Sequence, residues 1–82
     1  MSPRDEALMV LLEAWLIEAR LLYRWAAIAP ELPSAKGYLS DARTALAHAT
    51  QLARAARLLD VAPLDLRLAD GWIEAGIRAK FG

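Results

Sequence analysis

The chain contains no cysteine. That excludes a disulfide framework, a thiolate metal site and a cysteine nucleophile, and redox chemistry says nothing about compartment. His48 is the only histidine, so a structural zinc site needing four His or Cys ligands is not expected. Net charge is also missing: 10 Lys and Arg balance 10 Asp and Glu. A neutral chain exerts no strong pull on nucleic acid or an anionic membrane, and little repulsion keeps its copies apart. No period-two run and no Asn-Gly turn occurs, so no strand is expected. There is no phosphate-binding glycine loop, no Ser/His/Asp arrangement, no His-Glu metal helix and no internal repeat.

What is present is apolar. Of 82 residues, 57% are hydrophobic, above the usual range. The length suits one domain, residues 1–82, with one modest core. Charged residues follow Met1-Ser-Pro where a signal peptide would place its apolar stretch. Residues 7–29 could span a bilayer by length, but Glu13, Glu18, Arg20 and Arg24 inside that run would each be costly. A soluble, cytoplasmic chain with no targeting signal and no membrane span is expected.

The periodicity predicts an all-α fold, an antiparallel three-helix bundle with helices at about 3–29, 38–59 and 63–80. Ser2 is a good N-cap, Pro3 suits the first helical position, and Asp5 and Glu6 suit the positive end of the helix dipole. Pro30 disfavours helical geometry at Ala29 and ends the first helix. Residues 30–37 read as the one clear loop. The second helix is expected to start near Gly37 to Ser40, with an inner face of Ala42, Ala45, Ala49, Leu52, Ala56 and Leu59. Pro63 starts the third helix and Gly82 suits its C′ position.

The first helix carries two adjacent heptad seams. One reads Leu8, Leu12, Trp15, Ala19, Leu22, Ala26, Ala29. The other reads Ala7, Leu11, Ala14, Glu18, Leu21, Trp25, Ile28. Its polar stripe is Glu6, Glu13, Arg20 and Arg24. Two seams demand neighbours on most sides, more than a small domain supplies. The third helix offers Gly71, Ala75 and Ala79 for close packing, which leaves Leu66, Ile73, Ile77 and Phe81 as a second apolar face. Surplus faces of this kind point to a homo-oligomer, with a dimer favoured and Leu66, Ile73, Ile77, Met9, Leu16 and Tyr23 as interface. The first function expected is thus a self-assembling structural module without catalysis of its own, with no nucleic-acid partner and no membrane span.

Two residues could carry chemistry instead. His48, at the margin of the alanine-rich face, could be an axial ligand to a porphyrin or haem, with Ala45, Ala49 and Leu52 leaving flat space for the ring. Glu18, the polar residue in the second seam, could serve as acid or base if burial beside Trp15 and Trp25 perturbs it. Arg43, Arg54 and Arg57 read as a solvated basic stripe.

Arg43-Thr-Ala-Leu-Ala-His48 resembles the Arg-x4-His motif of the HEPN ribonuclease family in its two end residues, and departs from it at Thr44 and Thr50. More broadly, the chain resembles a computationally designed helical bundle. The Ser2-Pro3-Arg4-Asp5-Glu6-Ala7 opening, the unbroken seams, the short proline-marked loops and the lack of cysteine carry that resemblance. The excess of Arg over Lys and the abundant Ala depart from it. The resemblance implies a function chosen by design: assembly, binding or a cofactor pocket.

Overall fold

The computed structural model describes residues 2–57 and 64–82. Three helices follow in order: α1 (Pro3–Ile28), α2 (Leu32–Ala55) and α3 (Leu64–Phe81), with no strand among the described residues. The all-α expectation holds.

α1 begins as its sequence dictates. The Ser2 hydroxyl accepts a hydrogen bond from the Asp5 backbone N–H at 3.2 Å, and Pro3 opens the first turn. It ends where Pro30 forces Ala29 out of helical geometry, at ψ 131. Here the expected loop of residues 30–37 is corrected. α2 starts at Leu32, not near residue 38, and Pro33 lies in its first turn. Proline there breaks nothing, because the first-turn N–H groups have no intrahelical acceptor in any case. Gly37 is simply helical. α2 also ends before its expected limit at 59: Ala56 and Arg57 form a turn, with Arg57 left-handed at φ 58. Residues 58 and 59, and the connection at 60–63, lie outside the described residues. At the other end Gly82, φ 83, donates its N–H to the Arg78 carbonyl at 2.9 Å, closing α3 as expected of a C′ glycine.

The helices run up, down and up. Trp15 meets His48 and Trp25 meets Tyr38, an antiparallel register for α1 and α2. Tyr23 meets Asp70 and Ala29 meets Lys80, so α3 runs parallel to α1. α1 and α2 pack along their length, whereas α3 touches each only lightly. Their seam is lined with small residues: Ala19 and Ala26 on α1 and Ala35, Ala42, Ala45, Ala49 and Ala53 on α2 are all buried. Leu12, Leu16 and Tyr23 supply the bulk between them.

α3 is turned opposite to expectation. Leu66 and Ile77 are buried, and Ile73 and Phe81 pack against the core. Gly71, Ala75, Gly76 and Ala79 face solvent. A Cβ added at Gly71 or Gly76 would meet nothing within 4 Å. Burying Leu, Ile and Phe removes far more apolar area from water than burying Gly and Ala, and that difference sets the rotation. Four of the six residues expected at an oligomer interface, Leu16, Tyr23, Leu66 and Ile77, are therefore interior to a single chain, and Met9 and Ile73 are half-buried.

The result is a rod of 49 × 18 × 13 Å with a radius of gyration of 14.0 Å, against about 12 Å for a compact chain of this length. Among the described residues no helix is long and apolar enough to cross a membrane.

Two substitutions check the rotation and the tight seam. Ala49→Leu overfills the α1–α2 contact and should cost about 1–3 kcal/mol in urea unfolding. Gly76→Ala, on the open face of α3, should gain about 0.5–1 kcal/mol. A loss of stability on Gly76→Ala would show that the small face packs inward after all.

Candidate functional site

One polar cluster joins all three helices. Tyr23 of α1 donates its hydroxyl to Asp70 Oδ2 of α3 at 2.7 Å. Arg43 of α2 donates Nε to the same oxygen and Nη2 to Asp70 Oδ1, each at 2.9 Å, in a bidentate pair. Arg43 Nη2 also reaches Glu74 at 3.1 Å, and Arg78 reaches the other oxygen of Glu74 at 3.2 Å. The Arg43 guanidinium is the chief cause that holds the Asp70 carboxyl below its ordinary value, with the Tyr23 hydroxyl adding to it against the effect of burial. Burial first, and then the bond to Asp70, push the Tyr23 hydroxyl up. Bonding to Asp70 likewise raises the Arg43 guanidinium. The cluster contains an acid and a base, but they neutralise one another. Its role is to hold α3 in one place on the α1–α2 pair. A second polar tie lies at the far end: Lys80 donates to the Ala29 carbonyl at 2.9 Å, capping an α1 whose own last turn has no basic residue.

The residues expected to carry chemistry do not converge. His48 is exposed and stacks on Trp15, ring centres 4.6 Å apart at 25°. Ala45 and Ala49 are buried against α1 and Leu52 packs partly against the core. One face of the His48 ring is thus covered by Trp15, and His48 also borders an open groove over α2 and α3. Among the described residues no group of three His, Cys, Asp or Glu could hold a metal ion. Glu18 is exposed, so the burial that an acid–base role required is absent. The two ends of the HEPN-like motif part company: Arg43 turns to α3 and His48 to Trp15. The Thr44 and Thr50 hydroxyls are bonded to the Ser40 and Leu46 carbonyls one turn back.

Two surfaces remain. An open groove of about 1050 Å³ runs over α2 and the C-terminal half of α3, with Leu39, Ile77 and Phe81 along it and Lys36, Arg43 and Arg78 among the polar groups. The other is α1 itself. The first seam is the buried one: Leu12, Ala19, Ala26 and Ala29 are interior, and Leu8, Trp15 and Leu22 are half-buried. The second seam is exposed throughout. Val10 is 66% exposed, Leu11 50%, Ile17 56%, Leu21 47%, Trp25 50% and Ile28 73%. Ala14, Ile17, Glu18, Leu21, Leu22 and Trp25 line a shallow cleft on this side. This exposed apolar face takes up roughly a third of the helix circumference. Glu6, Glu13, Arg20 and Arg24 flank the face on one side, exposed and without an ion-pair partner among the described residues. A smaller apolar spot, Leu68 and Trp72, stands on the outer side of α3.

Comparisons with protein-family models, with curated proteins and with solved structures find no match.

The polar cluster sets a pH dependence. Because the native Asp70 value is depressed, its stabilisation is whole above the ordinary carboxylate value of 3.8 and is lost as pH falls through that value toward the native one. Tyr23, raised from 10.0, behaves oppositely and loses its share as pH rises above that value. Asp70→Asn should cost about 1–3 kcal/mol at pH 7. The gap to wild type should shrink on acidification to pH 3. A gap that stays constant over that range would remove Asp70 from the account.

Proposed function

We propose that this chain is a structural module that assembles through α1 with a second copy of itself. The uncovered apolar face of α1 carries the reading. Monomers do not commonly leave so continuous a patch in water without a partner to cover it. The total surface supports it: the chain exposes 5662 Å², some 800 Å² beyond the about 4,850 Å² typical of a compact monomer of 9.0 kDa. About 800 Å² is what each partner gives up in a standard interface. The zero net charge adds no long-range repulsion between copies. A module of this kind also agrees with the resemblance to designed helical bundles, whose purpose is often assembly. The interface residues are Val10, Ile17, Leu21, Trp25 and Ile28, in place of the buried Leu66 and Leu16.

Light scattering after size-exclusion chromatography tests this. Wild type should show twice the 9.0 kDa chain mass. Leu21→Glu and Ile17→Glu, on the exposed face, should fall to one chain while keeping their helical circular dichroism. Leu66→Glu, in the core, should instead unfold. A wild type of one-chain mass at every concentration, or a Leu21→Glu protein that stays dimeric, would refute the assignment of this face.

A further inference from the structure

Self-association through α1, as proposed above, leaves the direction of the two helices open, and the distribution of side chains decides it. The N-terminal half of the face is the smaller one, with Ala7, Val10 and Ala14 and one large side chain, Leu11, at its edge. Large ones crowd the C-terminal half: Leu21, Trp25 and Ile28. A parallel pair would set bulk against bulk at one end and small against small at the other. An antiparallel pair with its twofold axis between Ile17 and Glu18 sets Ala14 opposite Leu21, Val10 opposite Trp25, and Ala7 opposite Ile28. Large against small at these three levels suits close packing.

The flanking charges give the same answer independently. A twofold axis perpendicular to two antiparallel helices brings the same flank of each together. The flank of α1 beside the face carries Glu6 and Glu13 in its first half and Arg20 and Arg24 in its second. In the antiparallel pair each acidic half lies along the partner's basic half, with Glu13 nearest the partner's Arg20. In a parallel pair this flank would meet the other edge of the face, Arg4, Leu11, Glu18 and Trp25, whose one cation stands at the start of the helix and which sets the acidic Glu18, not a cation, beside Glu13.

We infer that two copies pair α1 against α1 in antiparallel orientation about a twofold axis near Ile17, giving a six-helix assembly with the α2–α3 layers on its two outer sides. The contact is isologous, so it closes at two copies.

The lack of cysteine makes the test direct, since Arg4→Cys introduces a single exposed site for a spin label. Arg4 lies 13 residues from Ile17. At 1.5 Å per residue, the antiparallel pair separates the two labels by about 40 Å. A dipolar distance near that value, abolished by Leu21→Glu, is the expected result. A distance under about 20 Å in a protein that Leu21→Glu still dissociates would leave the α1 interface standing and overturn its antiparallel direction. A labelled protein with no dipolar signal and the mass of one chain would overturn the association itself. The charge pattern has its own check. Glu13→Arg with Arg20→Glu keeps the net charge at zero and should pair with itself. Mixed with ¹⁵N-labelled wild type, it should give fewer mixed dimers than the statistical half in native mass spectrometry. Statistical mixing would remove the flank from the argument.

Discussion

The whole molecule follows from one constraint: α1 carries more apolar circumference than two neighbouring helices can cover. α2 and α3 together shield the arc from Trp15 and Leu22 round to Leu16 and Tyr23. A polar stripe takes the next stretch. The remaining third, from Val10 to Ile28, faces water. No rotation of α1 cures this, because turning the second seam inward would expose the first. Which seam is buried depends on α2. Its packing face is nearly all alanine, so the α1 side with Ala19, Ala26 and Ala29 can lie close to it, while Trp25 and Ile28 would hold it off.

A seam of alanines buries little area per residue, and α3 adds only light contact. Apolar packing alone therefore specifies the position of α3 weakly, since an alanine surface offers few distinct grooves. The Tyr23–Asp70–Arg43 cluster supplies what is missing. Each helix contributes one side chain, and the bidentate geometry at 2.9 Å is met in a single register. Its contribution is orientation as much as energy. Arg43 is half exposed, and ion pairs at such sites are weak. A slide of α3 by one turn would leave Asp70 part-buried with neither Arg43 nor Tyr23 to bond, which is costly.

Helix ends were legible in the sequence where a side chain makes its own cap. Ser2, Pro30 and Gly82 act within a few residues, and each does what its chemistry predicts. Pro33 was not legible, because proline marks both a loop and the first turn of a helix, and only the folded chain distinguishes the two uses. The rotation of α3 was misread because its small face was matched to the bulk of α1, although Leu66, Ile73 and Ile77 had more area to bury. The polar cluster was out of reach, since Tyr23, Arg43 and Asp70 are 20 to 47 residues apart and each reads singly as an ordinary surface or seam residue. The surplus apolar surface itself was plain from the two seams. Its location was not, because a sequence shows that a face is spare without showing which face the tertiary contacts spare.

The two apolar surfaces left in water differ in what they can build. The α1 face is long, flanked by opposite charges in opposite halves, and graded from small to large along its length. In the proposed antiparallel pair such a face meets its own reverse, and pairing uses it up. Leu68 and Trp72 on α3 stand among Gly71, Ala75, Gly76 and Ala79, which add little bulk, so that spot is narrow although Trp72 is 80% exposed. Open-ended association needs a surface that fits a different patch elsewhere on the molecule. On the proposed reading the graded α1 face finds its complement in another α1, and the excess apolar surface of the single chain is used in a closed pair.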